Sequence, residues 1–284
     1  PGDEVLMPQP VYPLWPATTE LYGGVVKYYP CDKQNNWLPD IEAMEQQITP
    51  DSKAIVIINP NNPTGVVYPR ELLEQIASLA RKHHLMIFSD EIYSDIVYEP
   101  YQFHPMASVS DDVVTITFQG LSKNYLLAGF RCAWAVVTGD VDCASSYLAG
   151  VNKLLSMRLC ANVPAQHAIS EALSNSKHSF LHLYPEMQQK RDLLIDTLND
   201  IDGLSCMSPQ GAFYAYPYWD SSVANWETDT AWVLSFLREH HILLAPGSTF
   251  CQSDSLHFRL AFLCDWDRLE YTCVKLKQLI CDQT

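Results

Sequence analysis

The sequence is poor in basic residues and has no long apolar run. Only 18 lysines and arginines stand against 33 aspartates and glutamates, which gives a net charge of −15. The phosphates of nucleic acids and of anionic lipids favour partners rich in lysine and arginine, so this balance predicts neither kind of partner. No stretch reaches the roughly 20 apolar residues that a membrane-spanning helix needs. With 48% hydrophobic residues, the chain is instead expected to fold around a full core.

Patterns typical of metal sites and disulfide scaffolds are also missing. The nine cysteines are scattered, their number is odd, and no two of them form a CxxC pair. This spacing predicts reduced thiols in a cytoplasm. Two adjacent histidine pairs, His83–His84 and His240–His241, predict no metal site, because neighbouring side chains on a helix point in different directions.

Short apolar runs alternate with helical patterns as far as about residue 140. Most of the runs are continuous rather than alternating, as is typical of buried parallel strands. Between two of them, residues 69–84 carry an apolar stripe with helical spacing. The pattern predicts an α/β fold with a mostly parallel central sheet that helices cover on both faces. The runs are DEVLMP, GGVVKYYP, KAIVIINP, LMIFSDE, VVTITFQG and CAWAVV.

The second half of the chain has a different pattern. After residue 139 it becomes mostly helical, and short strands return nearer the C-terminus, in LSCMSPQGAFYAYP and SLHFRLAFL. We therefore predict two domains. The larger one covers residues 1–176 and the smaller α+β domain covers residues 177–284.

Polar side chains follow the predicted parallel strands at their carboxyl ends. Ligands of open parallel sheets bind beyond this edge, so these side chains are candidate site residues. Each of them alone has an ordinary explanation. The NPNNPTG segment is a turn, Asp90 is compatible with a helix cap, and most lysines such as Lys123 are solvated. The candidates are Tyr12, Trp15, Asn62, Asp90, Tyr93, Ser122, Lys123 and Arg131.

Together the candidates match the chemistry of one cofactor, pyridoxal 5′-phosphate. A lysine amine forms a Schiff base with an aldehyde, and a carboxylate keeps a pyridine nitrogen protonated. Hydrogen-bond donors hold the ring oxygen and the phosphate, and an aromatic face stacks on the ring. The residues that match these roles are Lys123 for the aldehyde, Asp90 for the ring nitrogen, Tyr93 and Asn62 for the ring oxygen, Ser122 and Arg131 for the phosphate, and Tyr12 for the ring face.

Three segments, NNPTG, DEIY and SKNYLLAGFR, resemble in this order the signature segments of the class I and II aminotransferases of PLP fold type I. The spacing from the lysine to the arginine agrees, and the resemblance covers essentially the whole chain. The segments INPNNPTG, ITFQGLSK, AGFR and SMRLCANVPAQ are most similar to bacterial glutamate–pyruvate (alanine) aminotransferases.

The resemblance implies an enzyme that moves an amino group between an amino acid, such as alanine or glutamate, and pyruvate or 2-oxoglutarate. It also implies a homodimer in which both subunits line each site. Within the site, Lys123 would hold the cofactor and move the proton, assisted by Asp90 and Tyr93. Arg259 would bind the substrate carboxylate with help from Asn62. Trp15 is predicted to form part of the substrate pocket, with packing in the core as the alternative.

The chain departs from the family pattern in two places. Gly120 stands three residues before the lysine, where many relatives have serine. The family's first phosphate-binding turn and its substrate-closing segment would lie before residue 1. We therefore expect an N-terminally incomplete large domain in which Ser122 and Arg131 hold the phosphate.

Two other functions are compatible with the same motifs. One is a different reaction on the same cofactor, such as C–S bond elimination or acyl transfer, because a fold does not determine a reaction. The other is an aminotransferase-like domain that binds an effector without catalysis. Conversion of the cofactor to its amine form by alanine would separate amino transfer from both.

Overall fold

A seven-stranded sheet forms the centre of the N-terminal half. The computed structural model describes residues 1–179, 183–222, 226–252, 254 and 256–281. The strands of the sheet are β1 (Glu4–Gln9), β2 (Val25–Asp32), β3 (Leu38–Pro39), β4 (Ser52–Ile58), β5 (Met86–Asp90), β6 (Thr115–Gly120) and β7 (Ala133–Thr138). All six predicted apolar runs form strands of this sheet.

The sheet is mostly parallel, as predicted. Its strand order is β3-β2-β1-β4-β5-β6-β7, with β2, β1, β4, β5 and β6 parallel and the edge strands β3 and β7 antiparallel. The last residues of β4 and β5 are in register, since Ile58 pairs with Asp90. Asp90 in turn pairs with Phe118, two residues before the end of β6. The segments that follow these strands therefore leave the sheet at the same edge.

Eight α-helices accompany the strands in the described part of the chain. Helix α3 forms because its apolar stripe at positions 72, 73, 76, 79 and 80 is buried, and Pro69 precedes its first turn. The described helices include none that is long and apolar enough to cross a bilayer. They are α1 (Leu14–Leu21), α2 (Ile41–Gln46), α3 (Arg70–Lys82), α4 (Ser145–Met157), α5 (Val163–Ser179), α6 (Tyr184–Asn199), α7 (Asp229–His240) and α8 (Trp266–Cys281).

Strand β4 shows that the centre of the sheet is buried on both faces. Side chains alternate along a strand, and Ile55 and Ile57 belong to one apolar cluster whereas Val56 and Ile58 belong to another. The first cluster includes the stripe of α3, and the second is packed against Trp15 of α1. A strand covered on both faces needs a continuous apolar sequence, which is what the KAIVIINP run provides.

The C-terminal part contains short antiparallel strands and a large aromatic core. Strand β8 pairs with β10, while β9, β12 and β11 form a three-stranded sheet. The predicted boundary at residue 176 lies inside α5, and the division into two domains stays a prediction. The strands are β8 (Leu204–Ser205), β9 (Tyr214–Ala215), β10 (Tyr218–Trp219), β11 (Ala245–Pro246) and β12 (Phe258–Ala261).

The turn after β4 is attached to the segment that precedes β9. The backbone N–H groups of Gln210 and Gly211 donate to the carbonyl of Gly65 at 2.9 and 2.8 Å. The side-chain oxygen of Gln210 accepts from the N–H of Val67 at 2.9 Å. Gly65 has a φ of +73°, and a Cβ added there would lie 2.6 Å from the Cβ of Pro209. The contact therefore requires glycine at this position.

We predict that Gly65→Ala lowers the free energy of unfolding by about 2 kcal/mol or more, since it combines a left-handed backbone with a steric clash. Gly150→Ala is the matched control, because a Cβ at this helical glycine meets nothing within 4 Å. It should leave the free energy of unfolding unchanged or raise it by up to about 1 kcal/mol. Urea unfolding followed by circular dichroism measures both, and equal stability of the two variants would contradict the prediction.

Candidate active site

A cavity of about 430 Å³ lies at the carboxyl ends of β4, β5 and β6. Its volume falls in the range usual for small-molecule sites. It brings together eight of the nine side chains predicted from the sequence, and Trp15 is the one outside the lining. The polar residues of the lining are Tyr12, Asn62, Asp90, Tyr93, Gln119, Ser122, Lys123, Arg131, Tyr214 and Arg259.

The cavity has the opposite charge to the chain as a whole. Three cations, Lys123, Arg131 and Arg259, line it together with one carboxylate, Asp90, although the chain carries a net charge of −15. Within the part of the chain that the structure describes, neither Lys123 nor Arg259 forms an ion pair with a carboxylate. These cations are therefore available to an anionic ligand.

The loop after β6 positions Lys123. The side chain of the next residue, Asn124, is buried and donates to the hydroxyl of Ser94 at 2.9 Å, while its oxygen accepts from the N–H of Asp95 at 3.3 Å. These bonds fix the loop to the segment after β5. The Lys123 amine then lies 5.8 Å from the ring centre of Tyr93 and 5.6 Å from that of Phe213. Lys123 is half-buried and its amine lies among aromatic rings, so it differs from the solvated lysines of most protein surfaces.

Asp90 is the last residue of β5 and keeps its carboxylate in a largely apolar setting. Burial raises the pKa of this carboxyl above its usual value. Three weaker influences oppose the rise: the indole N–H of Trp15, which donates to Oδ2 at 3.2 Å, the N–H of Ile92, and the positive charge of Lys123. A carboxylate held in this way is a strong acceptor for a protonated ring nitrogen.

Trp15 lies behind Asp90 rather than in the lining. Its indole packs against Phe88 at 5.9 Å and Phe118 at 5.5 Å between ring centres, and its N–H points at the Asp90 carboxylate. The structure thus gives Trp15 both a packing contact and a polar contact. The substrate-binding role predicted for it stays a prediction.

Asn62 and Arg259 form a polar pair on the other side of the cavity. Arg259 donates from Nη1 to the side-chain oxygen of Asn62 at 2.8 Å. The amide nitrogen of Asn62 then remains to donate to another acceptor. The Arg259 guanidinium also lies over the rings of Tyr214 and Phe250, at 4.2 and 4.8 Å from their centres. Its remaining N–H groups suit a planar carboxylate.

Ser122 and Arg131, the two residues predicted to hold the phosphate, both line the cavity. Arg131 is exposed, has a φ of +50°, and donates from Nη1 to the carbonyl of Ala128 at 2.8 Å. Gly120, where many relatives have serine, lies too close to β7 for a side chain. A Cβ there would be 2.8 Å from the carbonyl oxygen of Cys132. The glycine therefore follows from the close approach of β6 and β7.

Tyr214 is the site residue that the sequence analysis did not find. It lies on β9, which pairs with the Arg259-bearing strand β12, and its hydroxyl is 2.9 Å from the hydroxyl of Tyr93. Burial raises the pKa of Tyr93 well above its usual value, so this phenol keeps its proton and can donate it in a hydrogen bond. The alternating aromatic pattern of GAFYAYP is the signal that could have indicated Tyr214.

The residues present fit pyridoxal 5′-phosphate. The set contains an amine for the aldehyde, a carboxylate for the ring nitrogen, a phenol and an amide for the ring oxygen, and a hydroxyl with a guanidinium for the phosphate. Tyr12, which is 38% exposed, offers an aromatic face at the cavity wall. In the described residues, no group of three or more histidine, cysteine, aspartate or glutamate side chains is arranged to hold a metal ion.

Known proteins are similar to this chain in sequence and in fold. The family described as "Aminotransferase class I and II" matches residues 1–276. The glutamate-pyruvate aminotransferase AlaA of Escherichia coli K12 is 43% identical over 281 residues, which cover 98% of this chain and 69% of that protein. The alanine aminotransferase of Mycobacterium bovis is 44% identical over 269 residues, 94% of this chain and 62% of that protein. The solved alanine aminotransferase of Pyrococcus furiosus is 34% identical with a TM-score of 0.95, covering 99% of this chain and 71% of that one.

We predict that Asp90→Asn stabilises the chain when no cofactor is present. The folded pKa of Asp90 lies above its unfolded pKa, so the native chain binds this proton more tightly. The free energy of unfolding therefore falls as the pH rises from the unfolded pKa to the folded pKa of Asp90. The loss is complete above the folded pKa. An uncharged amide avoids this loss, which is about 1.4 kcal/mol for each unit of raised pKa. Urea unfolding between pH 3 and pH 8, in steps of about one unit, measures the difference.

The gain should appear above the ordinary aspartate pKa and vanish below it, where both side chains are neutral. Asp112→Asn is the control of opposite sign, because the Arg81 guanidinium lowers the pKa of Asp112. It should lose stability at neutral pH. A pH-independent difference between Asp90→Asn and the parent would show that burial of the charge is not the cause.

Proposed function

The chain belongs to the family of class I and II aminotransferases, and we propose that it moves an amino group between alanine or glutamate and pyruvate or 2-oxoglutarate. The enzyme class and the cofactor predicted from the sequence, an aminotransferase with pyridoxal 5′-phosphate, are confirmed by the family and by its solved members. The choice of substrates is the proposal. It is supported by the names of the two bacterial relatives described above.

One observation carries this proposal: a free amine and a free guanidinium line the same cavity. Lys123 lies beside Asp90, and Arg259 lies beside Asn62, with neither cation neutralised by a carboxylate in the described residues. Amino transfer needs both groups, because one holds the reacting carbon and the other holds the carboxylate that amino acids and 2-oxo acids share. The proximity of the two sites then orients the substrate.

The residue roles follow from the chemistry of each side chain. The bound cofactor would supply an electron sink for the negative charge that develops on the substrate carbon. Asp90 would hold the proton on the ring nitrogen, and Tyr93 with Asn62 would donate to the ring oxygen. Ser122 and Arg131 would bind the phosphate, while Tyr12 would cover the ring. Lys123 would hold the aldehyde carbon and afterwards carry the proton that leaves the substrate Cα.

A homodimer is part of the same proposal. Helix α4 has no buried residue, and the apolar side chains of Leu154, Leu155, Met157 and Leu159 are between 60% and 88% exposed. Exposed apolar side chains concentrated in one segment are typical of an interface. A cytoplasmic location is also proposed, and it is supported by eight of the nine cysteines, which are free thiols.

A single-turnover reaction tests the proposed function. We expect stoichiometric alanine to yield pyruvate while the visible absorption band of the cofactor complex is lost. Borohydride reduction before alanine is added should attach the cofactor to the peptide that contains Lys123. Lys123→Ala should give neither the label nor turnover, whereas Lys53→Ala, at an exposed lysine outside the cavity, should give both.

Loss of the band without pyruvate release would indicate another reaction on the same cofactor. An unchanged band with alanine, glutamate and other amino acids would favour an effector-binding domain. A label on any other lysine would contradict the role of Lys123.

We predict that Arg259→Lys weakens every substrate about equally. Lysine keeps the charge but loses the planar pair of donors that binds a carboxylate. Losing one such charged hydrogen bond should raise KM for amino acids and 2-oxo acids by roughly 10-fold to 100-fold. Cofactor affinity should stay within about twofold. Steady-state kinetics and a cofactor titration measure the two quantities.

The matched control is Arg70→Lys, because Arg70 forms an exposed pair with Glu74 outside the cavity. It should leave all KM values at the parental level. Unchanged KM values in Arg259→Lys would refute the carboxylate site.

A further inference from the structure

Tyr214 touches both halves of the site. Its hydroxyl lies 2.9 Å from the hydroxyl of Tyr93, which is proposed to bind the cofactor ring oxygen. Its ring lies 4.2 Å from the guanidinium carbon of Arg259, which is proposed to bind the substrate carboxylate. The side chain is buried, at 5% exposure, and still lines the cavity. In the described part of the chain, no other side chain has a hydrogen bond or a ring contact with both of these residues.

The hydrogen bond between the Tyr93 and Tyr214 hydroxyls can run in only one direction when Tyr93 also donates to a ligand in the cavity. Each phenol has a single proton to donate. Once Tyr93 gives its proton to an acceptor in the cavity, the bond between the two hydroxyls persists only with Tyr214 as the donor. Donation from Tyr214 polarises the Tyr93 hydroxyl and makes it a better donor. Tyr214 therefore reinforces the hydrogen bond that Tyr93 makes.

The ring of Tyr214 has a separate effect on Arg259. A guanidinium over an aromatic face is attracted by the ring quadrupole, most strongly where water is excluded. Phe250 provides a second face, at 4.8 Å, and Asn62 provides a hydrogen bond. These three contacts hold the guanidinium in one plane without neutralising its charge. The charge thus stays available for a carboxylate.

We propose that Tyr214 is a positioning residue that couples the two sites, reinforcing Tyr93 through its hydroxyl and orienting Arg259 through its ring. This inference rests on the proposed function, because it needs a cofactor at Tyr93 and a carboxylate at Arg259. The charged groups nearest to the pair in the cavity are Asp90, Lys123 and Arg259. None of them is altered by the substitutions that follow.

Two substitutions separate the hydroxyl from the ring. Tyr214→Phe removes the hydroxyl and keeps the aromatic face, whereas Tyr214→Leu removes both. Tyr216→Phe is the matched control, because Tyr216 is a buried tyrosine two residues away whose hydroxyl has no hydrogen-bond partner among the described residues. Circular dichroism checks that each variant folds, and Tyr214→Met replaces Tyr214→Leu should the latter not fold.

The first measurement is the pH midpoint at which the visible band of the cofactor complex changes. A ring oxygen that accepts fewer hydrogen bonds is more basic. It attracts the neighbouring proton of the cofactor complex more strongly, so this proton is released at higher pH. We expect the midpoint to rise by about half a unit to one unit in Tyr214→Phe, the size of one neutral hydrogen bond. Tyr93→Phe should give at least as large a rise, and Tyr216→Phe none.

The second measurement is the dissociation constant of propionate, which has the carbon skeleton of alanine without the amino group. Broadening of its methyl NMR signal by the chain without cofactor reports this constant. We expect Tyr214→Phe to stay within about twofold of the parent. Tyr214→Leu should bind propionate about five- to tenfold more weakly, as expected for the loss of one buried cation–π contact.

The outcomes separate this inference from the proposed function. A parent chain that gives no visible band with the cofactor overturns the proposed function itself. A parent with a normal band and an unshifted midpoint in Tyr214→Phe overturns the coupling through the hydroxyl. Propionate binding at the parental level in Tyr214→Leu overturns the role of the ring. A shifted midpoint with unchanged propionate binding in Tyr214→Phe, and weakened binding only in Tyr214→Leu, supports the proposal.

Discussion

The hydrogen bond between Arg259 and Asn62 joins residues that are 197 positions apart in the sequence. It brings the short C-terminal strand β12 to the turn that follows the central strand β4. The same turn is held by the backbone bonds that Gln210 and Gly211 make to Gly65. Without this junction the parallel sheet would still present Asp90 and Lys123 at its edge. It would lack the guanidinium that we propose to bind the substrate carboxylate.

The site is lined mainly by positively charged side chains, whereas the chain as a whole is acidic. An acidic surface repels anions at long range, while the three cations of the cavity attract them at short range. Since surface charges are screened beyond about 10 Å in physiological salt, the local charge decides binding. A single carboxylate, Asp90, remains among these cations, and its burial raises its pKa. The site thus combines a general preference for anionic ligands with one acceptor reserved for a positively charged group.

The sequence predicted the parallel sheet and the residues at its edge because both have local signals. Continuous apolar runs indicate buried strands, and their register places the residues that follow them together, as the pairing of Ile58 with Asp90 shows. Tyr214 has only the weak signal of the aromatic residues in GAFYAYP, and the bond from Trp15 to Asp90 has no sequence signal. Strand β9 is two residues long, too short for periodicity, and the distance from α1 to the end of β5 depends on tertiary packing. Contacts of this kind follow from the fold rather than from any segment.

The buried carboxylate of Asp90 also has a consequence for the life of the protein in a cell. Under the role proposed for Asp90, its charge costs stability in the chain without cofactor and gains a partner in the loaded chain. The chain without cofactor is then the easier of the two to unfold. Proteases act on opened molecules, so chains without cofactor are degraded faster than loaded ones. The amount of folded protein is then expected to rise with the supply of cofactor.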